Sequence, residues 1–497
     1  MNAFPFSRRA LLRGFAAAPL LLCSQSRARR REDFAAAKAR NPALLAFESV
    51  RASELAAPLK TVAGRLPPEL TGVLWRNGPA EHERFGHRYG HWFDGDGMVQ
   101  AFSFDGAGVT HRARILDTPK RRRETQAGRR VLPAFGTLPP DVGPIRGPDD
   151  MNVANTSIVQ HGGRLMALWE GGSALDVDPD RLSARGFVTW RDDLAGMPFG
   201  AHPKRDTDGS LWNIGVLANP VPMLLLYRID RAGSLAAFSH IPISPIGMVH
   251  DFVVTARHLV VLVPPFVVEP ERFASGQVSF LDAHAWRPEF GTRVLVIDKN
   301  SLAPVRRHEL AAGFHFHHGN GWEENDGTIN LDLCQAPDHR FAVEDFRALM
   351  RGEWGFPSGQ PRYRSLALRP DGGARIEDAA AGAADFPRID PRRAVRRHRK
   401  VFALVGPGVS PGLEEESAGD GVRPAASTLP VSNWPLEGVA CLRPDGGETD
   451  RWSSPPQQIA EEHVFVPHGS AEGDGWLVGP FLDIARGSAG LSVFNAL

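Results

Sequence analysis

Short apolar runs separated by turn residues repeat along the chain from about residue 59 onward. Glycine and proline, at 51 and 41 residues, interrupt the chain too often for long helices. The pattern therefore predicts many short antiparallel strands with no clear domain break, as in a propeller or a sandwich. The clearest candidate strands cover residues 72–75, 98–104, 164–169, 224–227 and 259–263.

Four segments are distinguished by composition. Residues 56–497 carry the strand pattern, without a tight repeat that would by itself identify a propeller. Residues 27–55 are charged and alanine-rich, which fits either a short helix or a linker. Residues 264–288 and 408–430 are predicted loops, of which the first either exposes apolar surface for a membrane or substrate entry, or packs against the body.

The N-terminus predicts export. Ser7-Arg8-Arg9 is a twin-arginine pattern, and it precedes an apolar run at residues 14–23 that is too short to span a bilayer of about 30 Å. We interpret residues 1–26 as a twin-arginine export signal, which places the protein in the periplasm or outside the cell. The alternative is a disordered basic arm.

Overall composition excludes some classes of function. The 57 basic residues balance the 57 acidic ones, so no basic excess points to nucleic acid. The hydrophobic content of 42% is ordinary for a soluble globular protein. Three cysteines cannot form a disulfide framework, and none lies in a CxxC motif.

Histidines are the candidate metal ligands. In the alternating stretch that begins at Phe314, strand geometry predicts that His315 and His317 share one face and that His318 takes the other. His202 and His250 also lie beside apolar, strand-like runs. A histidine in a strand is usually an ordinary core or surface residue, and close-spaced ligand motifs such as HExxH are absent. Three such positions nevertheless suggest an all-imidazole site assembled by the fold.

Several motifs occur in an order that resembles the carotenoid cleavage oxygenases. The resemblance implies an all-β, seven-bladed β-propeller with a helical and loop cap over one face, incomplete at the C-terminus in this chain. The motifs are Arg76-Asn77-Gly78-Pro79, His91-Trp92-Phe93-Asp94-Gly95-Asp96-Gly97-Met98, Ala154-Asn155-Thr156-Ser157, Ala201-His202-Pro203-Lys204, His250-Asp251-Phe252 and Phe316-His317-His318-Gly319-Asn320-Gly321-Trp322-Glu323-Glu324.

The resemblance also implies a non-haem Fe(II) centre. Carried over by position, its ligands are His202, His250 and His317. Members of the family orient their imidazoles with acidic residues, usually glutamates, and the matching positions here are Glu170, Asp385 and Glu462. Asp385 is one methylene shorter than glutamate, so we expect its hydrogen bond to need a water or a shifted backbone.

The fourth ligand of the family is not found in this sequence. Relatives continue into a final Phe-His-Gly segment, whereas this chain ends at Leu497, and His339, His398, His463 and His468 lie in segments that do not match that motif. We expect either a truncated form of a longer protein or a centre with three ligands, whose activity is then less certain than its family.

The function implied is cleavage of a carbon–carbon double bond of a carotenoid or apocarotenoid with O2 to give carbonyl products. Phe199, Phe252 and Phe314 are candidate tunnel residues, although ordinary core positions explain them as well. Two alternatives remain: a stilbene-cleaving dioxygenase, with Tyr89 and Lys120 holding a phenol, and an inactive propeller that binds a polyene. The partners are an apolar polyene and O2, with peripheral membrane contact for substrate uptake.

Overall fold

The computed structural model describes residues 25–218, 221–407 and 434–496, and side chains from residue 33 onward. The predicted export signal and the predicted loop at 408–430 therefore lie largely outside the described residues. Within these ranges the chain is almost entirely strand, with a few short helices. No helix of the described chain has the length and apolarity needed to cross a bilayer.

Seven antiparallel sheets form the blades of a β-propeller, as expected from the resemblance. In the first blade the hydrogen-bonded order is β1-β6-β5-β2, and β3 and β4 form a separate small hairpin. The second and third blades follow the chain order from β7 to β10 and from β11 to β14. The strands are β1 (Glu54–Pro58), β2 (Thr71–Glu81), β3 (Glu83–Arg84), β4 (His87–Arg88), β5 (Asp96–Asp105), β6 (Val109–Ile115), β7 (Ser157–His161), β8 (Arg164–Leu168), β9 (Leu175–Val177), β10 (Ala184–Phe187), β11 (Lys204–Arg205), β12 (Leu211–Leu217), β13 (Met223–Ile229) and β14 (Leu235–Pro242).

The next three blades have the same meander. The fourth is β15-β16-β19-β20, with a β17–β18 hairpin inserted between its second and third strands. The fifth contains β21 to β24 and the sixth β25 to β28. The strands are β15 (Val253–Val254), β16 (His258–Val263), β17 (Phe266–Val268), β18 (His284–Trp286), β19 (Thr292–Asp298), β20 (Pro304–Leu310), β21 (Phe314–Glu323), β22 (Ile329–Ala336), β23 (Arg362–Leu368), β24 (Ala374–Asp378), β25 (Ala384–Ile389), β26 (Val401–Val405), β27 (Gly438–Leu442) and β28 (Glu448–Ser453).

The seventh blade is arranged differently. The central strand of this blade is β31. It pairs with β32 along one edge, and with both β29 and β30 along the other edge. The last strand of the blade packs toward the first blade, where Leu491 and Val493 contact the cluster of Phe102 and Phe104. The strands are β29 (Gln458–Ala460), β30 (Val464–Pro467), β31 (Gly475–Asp483) and β32 (Ser488–Asn495).

Helices and turns cover one face of the propeller. Residues 27–55, for which helix and linker were both open, begin in a helix that ends at Arg40. It packs on the cap through Phe34 and Ala37. The α-helices are α1 (Gln25–Arg40), α2 (Pro119–Ala127), α3 (Pro270–Ala274) and α4 (Phe346–Met350). The chain also contains a π-helical turn (Phe341–Asp345) and 3-10 turns at Pro42–Phe47, Trp92–Asp94, Pro148–Met151, Asp192–Leu194, Leu281–Ala283, Pro288–Phe290 and Pro391–Arg393.

The core of the protein lies between blades. Along β16, Leu259, Val261 and Val263 pack toward the third blade, while Val260 and Leu262 pack toward the fifth. Successive side chains of a strand point to opposite faces, and here both faces are covered. This explains why the strands appear in the sequence as continuous apolar runs instead of alternating ones.

The predicted loop at 264–288 is packed in part. It contains the β17–β18 hairpin and α3, and Phe266, Val267 and Val268 are at most 5% exposed. Of the two interpretations of this segment, the packed one is correct for the hairpin. The segment contributes to the site because Phe273, Val278 and Phe280 line the central cavity.

Candidate metal centre

Three imidazoles meet where the innermost strands of three consecutive blades converge. His202 lies two residues before β11, His250 three residues before β15, and His317 within β21. One nitrogen from each ring falls in a set whose members are all within 4.8 Å of one another. The Nε2 atoms of His202 and His250 are 2.8 Å apart. The structure thus brings together the three histidines singled out in the sequence.

Burial and neighbouring charges shift the pKa values of two of these rings in opposite directions. Burial, and then the neighbouring imidazoles, hold the pKa of His202 well below its usual value, so the ring is neutral and offers a lone pair. For His317, burial acts to lower the pKa, but the charge of Asp385 and its hydrogen bond outweigh burial and raise it. Two ring nitrogens 2.8 Å apart require a proton or a cation between them.

Two acidic side chains hold the outer nitrogens of the rings. Nδ1 of His317 is 2.8 Å from Oδ1 of Asp385, and Nδ1 of His250 forms a very short contact with Oε1 of Glu170. A carboxylate on the far nitrogen fixes the tautomer so that the inner nitrogen is free to coordinate. Three imidazole ligands suit Fe, Zn, Co or Cu better than Mg or Ca, and the residues present therefore fit a transition metal.

Asp385 reaches its imidazole without a water, because the backbone is shifted. The pairing of β25 with β26 slips between Asp385 and Arg388. The intervening Phe386 has φ of 56°, a left-handed conformation that is uncommon outside glycine. This bulge moves the shorter carboxylate toward the ring and corresponds to the second of the two possibilities stated for this residue.

The face assignment along β21 was wrong. His315 pairs with Gln335, but it is His318, not His317, that pairs with Leu333, so one extra residue is inserted between them. Such a bulge reverses the parity of the strand. His315 and His318 therefore share a side, with ring centroids 6.1 Å apart, and His317 alone joins the metal group.

In the part of the chain that the structure describes, the carboxylate of Glu462 makes no hydrogen bond to an imidazole, and its expected role beside a metal ligand stays a prediction. Its Oε1 lies 2.5 Å from Nε of Arg388, and both side chains line the central cavity. Among the described residues the metal group contains only the three histidines. Nδ1 of His463 donates to the carbonyl oxygen of Glu461, and its Nε2 lies 2.9 Å from the hydroxyl oxygen of Ser492. His468 stacks on Trp476.

An apolar cavity of about 470 Å³ opens onto the imidazoles. The predicted tunnel residues Phe199, Phe252 and Phe314 are no more than 1% exposed and do not line it, so they are core residues. Aromatic residues of the cap line it instead, among them Trp92, Phe93, Phe135, Phe341 and Phe346, together with Phe316 of β21. A cavity of this size and character suits an elongated apolar ligand.

Comparison with known proteins decides the family. The family described as retinal pigment epithelial membrane protein matches residues 47–497. The apocarotenoid-15,15'-oxygenase of Synechocystis is 27% identical over 448 residues, which cover 84% of each protein. The chain belongs to the carotenoid cleavage oxygenase family. Lignostilbene-alpha,beta-dioxygenase isozyme III of Sphingomonas paucimobilis is 28% identical over 466 residues, 88% of each.

Solved structures agree with this oxygenase assignment. The crystal structure of the cobalt-substituted apocarotenoid oxygenase of Synechocystis is 25% identical to the chain and superposes with a TM-score of 0.77. The similarity covers 94% of this chain and 93% of that one. Fold and family are therefore shared over nearly the whole length.

In this family member, the residues suggested for a phenol are not in the cavity. Nζ of Lys120 donates to the hydroxyl of Tyr89 at 2.8 Å and pairs with Glu124 at 2.9 Å. Tyr89 is 2% exposed and Lys120 fully buried, and neither lines the cavity. The structure brings the two together, but as a closed network behind the cavity wall.

Sequence reasoning missed the ion pair that joins the strands carrying the ligands. Lys204 Nζ is 2.8 Å from Oδ1 of Asp251, and Oδ2 of the same carboxylate accepts the backbone N–H of His318 at 2.8 Å. Both charged residues lie in motifs already quoted, two residues after His202 and one after His250. That adjacency to the candidate ligands was the available signal.

Proposed function

We propose that this chain is a non-haem Fe(II) oxygenase that cleaves a carbon–carbon double bond of a carotenoid or apocarotenoid with O2. The observation that carries the proposal is the group of His202, His250 and His317 at the wall of an apolar cavity of about 470 Å³. The similarity to the apocarotenoid-15,15'-oxygenase of Synechocystis supports this substrate class.

Each group of residues has a separate task in the proposed reaction. Bound Fe(II) would supply the activation of O2, and His202, His250 and His317 would hold it as neutral ligands. Glu170 and Asp385 keep the ligand nitrogens aimed inward and offset positive charge. The aromatic walls exclude water and fix the polyene along the cavity, so the depth of the cavity selects the double bond that reacts.

The stilbene alternative receives less support. Lys120 and Tyr89 satisfy each other behind the cavity wall, so neither presents a hydrogen-bonding group to a phenol. Lignostilbene-cleaving relatives are about as similar in sequence as the apocarotenoid one, so stilbene and apocarotenoid substrates are tested side by side.

The test measures metal and products together. The chain is loaded anaerobically with Fe(II), its iron content is determined, and apocarotenoid cleavage is followed by loss of visible absorption and by mass spectrometry of the aldehydes. We expect about one iron per chain and two carbonyl products. His250→Ala and His317→Ala should lose the bound iron and the cleavage activity. His468→Ala, which changes an exposed histidine on the last blade, should retain the iron and the activity.

Other outcomes lead to different conclusions. Cleavage of stilbenes alone would replace the carotenoid assignment. Tight polyene binding without iron or aldehyde would favour the non-catalytic propeller, a real alternative because the metal group found among the described residues contains only three imidazoles.

We also propose that the protein is exported by the twin-arginine pathway and takes its substrate from a membrane surface. The pair Arg8-Arg9 before an apolar run supports export, and Val142, 37% exposed at the cavity lining, supports contact with lipid. Arg8→Lys together with Arg9→Lys should retain the protein in the cytoplasm in a fractionation experiment. Unchanged export of this variant would contradict the assignment.

A further inference from the structure

One polar ring lies in a part of the cavity wall where its neighbours along the chain are apolar. His284 begins β18 and lines the cavity, although only 9% of it is exposed. The neighbouring lining residues from the same part of the chain are apolar: Phe273, Val278 and Phe280. A polar atom in such surroundings costs free energy unless it finds a hydrogen-bond partner.

The tautomer of His284 follows from its one hydrogen bond. Nδ1 lies 2.9 Å from the carbonyl oxygen of Phe280, and since a carbonyl only accepts, Nδ1 carries the hydrogen. Burial lowers the pKa of His284 to about 4, so the ring is neutral near pH 7. Nε2 is then an unprotonated acceptor, and it makes no hydrogen bond to any described residue.

The ring is also held in place. It packs against Phe266 and Phe280, with centroids 5.0 and 4.7 Å away, on a hairpin whose strands pair Val268 with His284. An acceptor fixed in this way can discriminate between ligands, because little side-chain entropy is lost when it is used.

We propose that Nε2 of His284 accepts a hydrogen bond from a hydroxyl group at one end of the polyene, and so makes this chain selective for hydroxylated substrates. A hydrocarbon end leaves the acceptor unpaired, and an aldehyde or ketone end presents a second acceptor to it. An apocarotenoid with a hydroxyl at one end and a carbonyl at the other therefore binds in one orientation, with its hydroxyl end at His284. This inference rests on the proposed function.

The experiment compares three ligands that differ only at one end. A hydroxylated apocarotenal, its methyl ether and the unsubstituted apocarotenal are titrated into the protein, and binding is followed by quenching of the fluorescence of Trp92 and Trp169, which line the cavity. The methyl ether is a matched ligand that keeps an oxygen but cannot donate. The titration uses the metal-free protein, so the readout is independent of turnover.

We expect the hydroxylated ligand to bind about tenfold more tightly than the other two, as one neutral hydrogen bond allows. In His284→Phe the three affinities should become equal, and His284→Gln, which restores an acceptor, should recover part of the preference. His339→Phe is the matched control: His339 stacks on the same Phe266, 4.3 Å between centroids, but does not line the cavity.

Equal affinities in the unchanged protein, or a preference that survives in His284→Phe, would overturn the inference while leaving the proposed cleavage intact if products are formed. Failure of all three ligands to bind would overturn the inference and the proposed function together.

Discussion

Asp385 illustrates how one side chain can be accommodated by its backbone. Its carboxylate contacts His317 at 2.8 Å although it is shorter than the glutamate usual in the family, and the left-handed Phe386 that follows makes this possible. The charge of Asp385 raises the pKa of His317 against the effect of burial. The same charge should strengthen the bond from this imidazole to a cation.

Removing that charge should weaken metal binding. For Asp385→Asn we expect about 10- to 100-fold lower affinity for Co²⁺, a stable probe, measured by calorimetry with the metal-free protein. Asp385→Glu is the control that keeps the charge, and it should stay within a few-fold of the unchanged protein. An Asn variant that binds Co²⁺ normally would show that Asp385 does not tune His317.

Several histidines away from the metal group are buried as neutral rings. Burial lowers the pKa of His82 and His91 to about 3, and that of His284 and His463 to about 4. In the unfolded chain these rings take up protons below about pH 6.5, so the unfolded state then binds more protons than the folded one. The contribution of these neutral rings to the free energy of unfolding is therefore fully present above pH 6.5, and it is lost as the pH falls toward 4.

We expect the urea midpoint of unfolding to fall steadily between pH 7 and pH 5. Each ring that protonates only on unfolding contributes a slope of up to about 1.4 kcal/mol per pH unit. His463→Gln should reduce that slope by the contribution of about one protonating ring. His468→Gln, at an exposed position, should leave the slope unchanged. A midpoint that stays constant from pH 7 to pH 5 would contradict this account.

At the scale of the element, β21 is defined by its two irregularities. Its pairing with β22 slips between His315 and His318 and again between His318 and Gly321. Gly319 lies between the two slips, where a Cβ would meet Oδ2 of the fully buried Asp332 at 1.9 Å. The strand can approach β22 this closely only with glycine at that position.

Gly319→Ala should therefore destabilise the fold by about 1–3 kcal/mol, measured by urea unfolding, because the added methyl displaces a buried carboxylate. We also expect weaker Co²⁺ binding, since His317 is two residues away on the same strand. Gly78→Ala in β2, where a Cβ meets nothing within 4 Å, is the matched control and should change stability by less than about 1 kcal/mol. If the two substitutions changed stability equally, the result would argue against the close approach of β21 to β22 at Gly319.

At the scale of the whole molecule, stability depends on closing the ring of blades. The first and last blades meet through a cluster that includes Phe102, Phe104 and Val478, and Arg76 forms an ion pair with Glu461 beside it. Each blade is a small antiparallel sheet that cannot bury both of its faces alone. The cluster between the first and last blades is therefore as necessary for the stability of the fold as the clusters between consecutive blades.

Phe104→Ala, at a residue 7% exposed, should lower the free energy of unfolding by about 3 kcal/mol. Val62→Ala, at a residue 83% exposed, should change it by less than about 0.5 kcal/mol. Both are measured by chemical unfolding of the full chain. A small effect of Phe104→Ala would mean that the ring does not depend on this contact.

Local pattern predicted the strands, and the family motifs singled out the three histidines that the structure brings together. The run at 259–263 is a strand because five consecutive apolar residues are buried on two faces, toward different blades. His202, His250 and His317 were identifiable because each stands in a motif of the family, which does not depend on register. The seven-bladed arrangement came from the resemblance and is confirmed by the sheet topology.

Tertiary structure decided what depends on register and on distant partners. Strand parity misassigned His315 because an inserted residue, which leaves no signature in the sequence, reverses the faces of β21. The partner of Glu462 is Arg388, and the cavity is lined by cap aromatics such as Phe346 instead of Phe199. These contacts join residues far apart in the chain, so only the packing of the blades and the cap determines them.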